Sequence, residues 1–330
     1  MKMENMKFSS FEDFAVKTES KENPRNMPYV VCSGIAATRE YQEMMNNDLR
    51  NDLSRLLKES SMDKEIIEIE PARDFLKTSW QRDNFLYFNG TYFPWRWVDT
   101  KGQNRPEREA YVLSLMGMKE GLKAESYTRR IFKDVQEGVF AVGEGGLYFP
   151  DHDNNTLLIS DGIIAEEGFL SKEELHEKIK ETHKKIFGNN INIGILPRPD
   201  NTPHIDTHLS VIPKTKIALI EHDYYKKLEQ LGKMDELIKL GYDVVKIPPV
   251  EIRCPLNILY LENSNGEMCA FLNPKVPLFV KNILESNNIA TYDMNDKIAD
   301  RLDDGDGSIR CVTNEIHSKD PSFLRKLGFK

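Results

Sequence analysis

Cysteine is scarce in this chain, and its spacing excludes two classes at once. Cys32, Cys254, Cys269 and Cys311 are widely scattered, with no CxxC pair among them. Neither a zinc knuckle nor a disulfide framework follows from such a pattern. Long apolar runs are missing too. No stretch approaches the roughly 20 apolar residues that span a bilayer, and the opening MKMENMKFSSFEDF has no apolar core of a secretory signal. The expected location is therefore the cytoplasm, with no membrane partner. Positive charge is not in excess, because the formal net charge is −8. An acidic chain has no general attraction to nucleic acid. Finally, no Gly/Ser or Pro linker interrupts the chain after about residue 24. Residues 1–24 are polar and read as a tail or a late-docking segment, and 25–330 read as a single domain.

What is present is a rhythm. Five strand-rich stretches begin near Trp80, Val142, His204, Leu256 and Ser308, roughly 50–60 residues apart, as in a repeat architecture. Leu256 to Leu272 is the clearest pair, with Asn265-Gly266 as a hairpin signal. Helical patterns lie between. Residues 38–58 put Tyr41, Met45, Leu49, Leu53 and Leu56 on one face. Ser171-x-x-Glu174 is a capping box ahead of Leu175, Ile179 and Ile186. Tyr224 to Leu240 reads as a third helix ended by Gly241, and Pro277 can start a fourth. Strand pairs alternating with helices indicate an α/β fold.

Four segments hold polar residues that a core does not require. They are Trp80-Gln81-Arg82-Asp83-Asn84, Gly143-Glu144-Gly145-Gly146, Pro203-His204-Ile205-Asp206-Thr207-His208, and Gly305-Asp306-Gly307-Ser308-Ile309-Arg310-Cys311. On a strand, His204, Asp206 and His208 would share one side. Three readings stay open there: a metal site lacking an evident fourth ligand, a polar face with satisfied histidines, or a general base beside a substrate-binding carboxylate. Cys311 follows a glycine-rich approach that lets backbone come close to a ligand. Such a thiol is either a small buried hydrophobe or a nucleophile. Glu144 by itself reads as a turn residue and Asp83 as the partner of Arg82. The remaining histidines and the other three cysteines receive no role. Arg96, Arg198 and Arg310 are either carboxylate binders or surface charges.

In order and content, the four segments resemble the guanidino-group-modifying, or pentein, superfamily. That group includes arginine, agmatine and peptidylarginine deiminases, dimethylarginine hydrolases and glycine amidinotransferases. The resemblance covers about residues 75–317 and extends toward 28. It implies a five-bladed pseudo-symmetric α/β propeller with its site on the central axis. It further implies Cys311 as nucleophile, His204 as acid/base and Glu144 as the carboxylate orienting that histidine. Asp83 and Asp206 become the pair gripping the guanidinium, with no metal and no cofactor. The partner would be a small cationic guanidino compound, free or peptidyl.

The choice of member is divided. Glu144-Gly145-Gly146 resembles the hydrolases. Arg82-Asp83 running on to Pro94-Trp95-Arg96 resembles the amidinotransferases, as does His204-Ile205-Asp206 with Ile258-Leu259-Tyr260-Leu261. Cys311-Val312-Thr313-Asn314 is nearest the peptidylarginine deiminases, whose long N-terminal modules have no counterpart here. The agmatine deiminase pattern around its substrate strand is not met. The expectation is a hydrolase, with an amidinotransferase and a non-catalytic pentein as the alternatives.

Overall fold

The computed structural model describes residues 16–18, 23–33, 39–69, 82, 85–94, 145–161, 171–202 and 204–326. Those residues form five three-stranded sheets. Three units share one pattern: an antiparallel strand pair, a helical crossover, and a third strand parallel to the second. The first of these is β6 (Tyr148–Asp151), β7 (Thr156–Ser160), α2 (Lys172–Phe187) and β8 (Asn192–Leu196). Next come β9 (Leu209–Val211), β10 (Ile217–Ile220), α3 (His222–Gln230), α4 (Met234–Lys239) and β11 (Asp243–Lys246). Then follow β12 (Leu259–Glu262), β13 (Met268–Leu272), α5 (Leu278–Ser286) and β14 (Ile289–Asp293).

A fourth unit joins the two ends of the chain. Its first strand is β15 (Thr313–Ile316), after α6 (Asp296–Asp304) and before α7 (Pro321–Lys326). It pairs antiparallel with β2 (Tyr29–Ser33), and β3 (Glu65–Ile69) follows across α1 (Arg39–Glu59). In the fifth unit β4 (Phe85–Phe88) and β5 (Thr91–Pro94) form the hairpin, and β1 (Val16–Lys17) takes the outer place. This is the five-bladed α/β propeller.

The first strand of each unit is buried along its whole length in β4, β6, β9 and β15. One face packs on the helices and the other on the axis, so these strands read as continuous runs rather than alternations. The space between neighbouring units is apolar. Val30, Leu53, Phe271, Leu302 and Val312 share one such core with Cys32 and Cys269. Each large side chain buried there contributes roughly 1.5–3 kcal/mol.

Local signals explain several element ends. The Ser171 hydroxyl accepts from the Glu174 N–H at 3.2 Å, and the Glu174 carboxylate accepts from the Ser171 N–H at 2.8 Å. That reciprocal cap starts α2, whose Leu175, Ile179 and Ile186 are buried. Other expectations are revised. The helix read over Tyr224–Leu240 is two helices, because Gly232 at φ 62° turns the chain between them. The hairpin expected at Asn265-Gly266 is present, since β12 and β13 pair antiparallel on either side of it. The Asn263 side chain accepts from the N–H groups of Asn265 and Glu267, which makes a five-residue loop with only Gly266 at positive φ. Inside the polar opening stretch, Val16–Lys17 pairs with Thr91–Tyr92, and Pro24 is buried. Among the described residues no helix is long and apolar enough to cross a membrane.

Candidate active site

The motif residues occupy the turns just ahead of the first strands. Each of those strands starts three to six residues after the position expected for it. This geometry corrects the reading of His204, Asp206 and His208 as one strand face. Residues Ile205–Thr207 form a 3₁₀ turn, and β9 begins only at Leu209. Short side-chain bonds hold the turn. The Thr207 hydroxyl donates to the His204 carbonyl at 2.8 Å, and the His204 N–H donates to the Thr202 hydroxyl at 3.2 Å. No group of three His, Cys, Asp or Glu side chains suited to a metal ion is found among the described residues.

Cys311 is reached through a tight turn at the end of α6. The N–H groups of Gly305 and Gly307 both donate to the Leu302 carbonyl, and Asp306 sits at φ 60°. The chain is thereby turned inward, and Ser308 to Val312 are all buried. The Cys311 peptide is fixed on both sides. Its N–H donates to the Ser308 carbonyl at 3.1 Å and to Asn257 Oδ1 at 3.0 Å, and its carbonyl accepts from the Arg82 N–H at 3.0 Å.

Asn257 links that peptide to Asp206. Its amide nitrogen donates to Asp206 Oδ2 at 3.2 Å. Asp206 is fully buried, and Arg310 Nη1 also donates to Oδ2. Its other oxygen, Oδ1, is buried with no hydrogen-bond partner among the described residues. A buried carboxylate oxygen in that state is costly and marks a place for a donor. Arg310 is not a surface charge. It is buried, lies 5.0 Å above the Phe149 ring, and forms an ion pair with Asp206. Burial pushes the Arg310 pKa down, while the charges of Asp206 and Cys311 oppose that shift and Arg82 reinforces it. An arginine remains cationic through such a shift.

The glycines of Gly145-Gly146 are explained by close approach. A Cβ on Gly146 would stand 2.5 Å from His204 Nδ1, and one on Gly145 would stand 2.0 Å from the Arg82 carbonyl oxygen. The backbone ahead of β6 thus lies flat against the half-buried imidazole on one side and Arg82 on the other. Arg82 continues the chain of contacts through Nε to the Arg310 carbonyl at 3.2 Å. Parts of all four segments, from Arg82, Gly145-Gly146, His204–Asp206 and Arg310-Cys311, meet in this way. Asp83, Glu144 and Arg96 lie outside the described residues, so the structure does not place them. Arg198 is exposed.

Two contributors were missed by sequence reasoning: Asn257, and Arg310 as the partner of Asp206. An amide at the head of the apolar run Leu256-Asn257-Ile258-Leu259 was the available signal for the first. Cys254 lies close enough for its pKa to feel its neighbours. Burial pushes it up, followed by the charges of Cys311, Asp303 and Asp206. It is a buried, inert thiol in character.

The chain matches no protein-family description and no curated protein. Solved structures do match its fold. An agmatine deiminase from C. jejuni superposes with a TM-score of 0.57 at 16% identity, over 96% of this chain and 99% of that one. A cysteine-to-serine form of the C. jejuni enzyme with substrate bound gives 0.55, with the same identity and coverage. The N-terminal domain of ArgZ, an arginine dihydrolase from cyanobacteria, gives 0.50 at 12% identity, over 88% and 97% of the two chains. At these identities the likeness is one of fold.

Proposed function

From the premise that this chain has the five-unit α/β-propeller fold of the guanidino-modifying, or pentein, superfamily, we propose that it is a guanidino-group hydrolase working through Cys311. The observation that supports this reading is the hydrogen-bonded link between the Cys311 peptide and Asp206, which shares its turn with His204. One buried asparagine ties the Cys311 peptide to the Asp206 carboxylate, and Gly146 backs the His204 ring.

A guanidinium is planar, cationic and resonance-stabilised, so its carbon is a weak electrophile. Asp206 Oδ1 accepts an N–H of the substrate while Oδ2 keeps Arg310 and Asn257. Each such charge-assisted bond contributes on the order of 1.5–3 kcal/mol. Asp83 and Glu144 complete the site in this proposal, the first gripping the guanidinium and the second orienting His204. The Arg310 charge favours the Cys311 thiolate. That thiolate attacks the guanidino carbon, and a carbon–sulfur bond forms. His204 gives its proton to the departing nitrogen, which leaves as ammonia. Water, deprotonated by His204, then adds to the amidino-thioether carbon. The carbon–sulfur bond breaks and releases the ureido product and the thiolate.

The test is a panel of agmatine, free arginine, N-methylated arginines and a peptidyl arginine, read for ammonia and ureido product. One member is expected to turn over, and Cys311→Ser is expected to abolish that turnover. Undiminished activity in Cys311→Ser overturns the covalent route. Amidino transfer to an added amine, without ammonia, would replace hydrolysis by an amidinotransferase reaction.

A further inference from the structure

A cavity lies along the first strands, walled in part by Arg82 and Arg310 from the motif turns. Its volume is about 50 Å³, and its wall includes Arg25, Arg82, Arg310, His152, Tyr260 and Glu315. The three arginines come from three separate stretches of chain and are each more than nine-tenths buried. Their anchors sit largely behind them. Arg25 donates to Asp153 at 2.5 Å, and Arg310 is held by Asp206, neither of which lines the cavity. Arg82 donates to Asn314 at 3.0 Å and, more loosely, to Glu315 at 3.2 and 3.4 Å. Among the described residues the wall presents three guanidinia and one carboxylate, while Asp153 and Asp206 pair with Arg25 and Arg310 from outside it.

Burying three guanidinia is expensive, and ion pairs of this kind seldom stabilise a fold on balance. A core built only for stability would fill this space with apolar side chains. Its electrostatic character shows at His152, whose ring packs on Tyr87 and Phe88. Burial first, and then the charges of Arg25, Arg310 and Arg82, hold that imidazole well below its ordinary pKa. Guanidinia present paired N–H donors that match the oxygens of a carboxylate or phosphate.

We propose that this axial cavity is a binding site for a small oxyanion, held by the guanidinia of Arg25, Arg82 and Arg310. The site is linked to Cys311 through Arg310. That side chain lines the cavity and also bonds to Asp206, so an anion in the cavity competes with Asp206 for the same donors. Occupancy weakens, without breaking, the bond from Arg310 to Oδ2 and so strengthens the hold of Asp206 Oδ1 on a substrate guanidinium. This coupling rests on the proposed function, whereas the anion site does not.

The experiment titrates the full chain with inorganic phosphate, and separately with acetate, at constant ionic strength set by chloride. Binding is read by calorimetry and by the His152 imidazole resonances. A saturable heat is expected, together with a saturable shift of His152 as its positive surroundings are neutralised. Arg25→Gln and Arg82→Gln are each expected to weaken binding roughly 10- to 100-fold, as for loss of a charge-assisted bond. The His152 readout uses the unaltered protein, so it decides the matter even where a variant fails to fold. No saturable change beyond the chloride control overturns the site, as does binding that both variants leave intact. Where turnover is found, the bound anion is expected to lower KM for the guanidino substrate. An unmoved KM overturns the coupling, and binding without any turnover leaves the site standing while the proposed hydrolase falls.

Discussion

Adding one methyl group at Gly146 tests whether the His204 ring position matters to chemistry. The Cβ of Gly146→Ala would lie 2.5 Å from Nδ1, 2.6 Å from Cγ and 2.9 Å from Cβ of His204. Comfortable contact between such atoms is about 3.5–4.0 Å, so the ring must retreat by about 1 Å. Displacement on that scale lowers a positioned reaction by roughly 100-fold, or about 2.7 kcal/mol in the barrier. The clash includes His204 Cβ, which ring rotation does not relieve, so a stability loss within the roughly 1–3 kcal/mol typical of overpacking accompanies it. Gly145→Ala is the control. Its Cβ meets the Arg82 carbonyl oxygen at 2.0 Å, which is backbone and cannot rotate away. Relief there shifts the backbone of Arg82, whose N–H donates to the Cys311 carbonyl, so this variant loses stability first. Ammonia release and urea unfolding, measured on both variants, separate the two effects. Wild-type kcat in Gly146→Ala, with unmoved His204 imidazole resonances, would refute the argument that this glycine fixes a working histidine.

Two further outcomes follow from buried polar groups. Asn257→Leu removes one acceptor from the Cys311 N–H, leaving its Ser308 partner, and one donor from Asp206 Oδ2, leaving Arg310. A stability loss of about 3 kcal/mol is expected by chemical denaturation, along with weaker binding of the guanidino substrate. A neutral effect would show that the amide link is incidental. The second outcome concerns pH. His183 is fully buried between its bond to the Ile179 carbonyl at 2.8 Å and the Tyr148 hydroxyl at 3.3 Å. Burial lowers its pKa to about 4, against the opposing pull of the Ile179 bond. The folded state therefore holds this ring neutral, and its unfolded counterpart takes up a proton first as pH falls through about 6.5. Between about pH 7 and pH 4 the folded protein loses about 3 kcal/mol from this group. His152, also lowered, adds in the same direction. The acid side of Glu221, held at about 2 by His208 and two backbone N–H groups despite its burial, enters only below about pH 4.5. Urea midpoints of wild type and His183→Gln across that range should show a flatter slope in the variant. Parallel slopes would refute the assignment.

The five-fold rhythm was legible because β4, β6, β9 and β15 are buried along their whole length and polar motif residues precede each of them. The polar residues interrupt the apolar pattern at nearly constant spacing. The start of α2 was legible because its capping box is complete within four residues. Features set by distant partners were not. The pairing of Val16–Lys17 with β5 uses two residues and one apolar anchor, too little for any period to register. The break between α3 and α4 depends on a single glycine inside an otherwise helical pattern. Burial of Arg310 was hidden because its partner, Asp206, is 104 positions away, and an arginine next to a cysteine reads the same inside or outside a fold.

Asn257 is the instructive failure. It stands at the head of a strongly apolar strand, where an amide must either reach a surface or satisfy both of its polar ends internally. The surface was excluded by the residues on either side, Leu256 and Ile258, which are both buried. Internal satisfaction then requires an acceptor for its N–H₂ and a donor for its oxygen from elsewhere in the chain. The two groups that meet that need are the Asp206 carboxylate and the Cys311 N–H, from two separate motif segments. An apolar residue would leave both without this partner, and an aspartate would face Asp206 with like charge. The position thus demands an amide for the same reason that the two motifs must meet, and the polar outlier in an apolar strand was the sequence's own pointer to where they do.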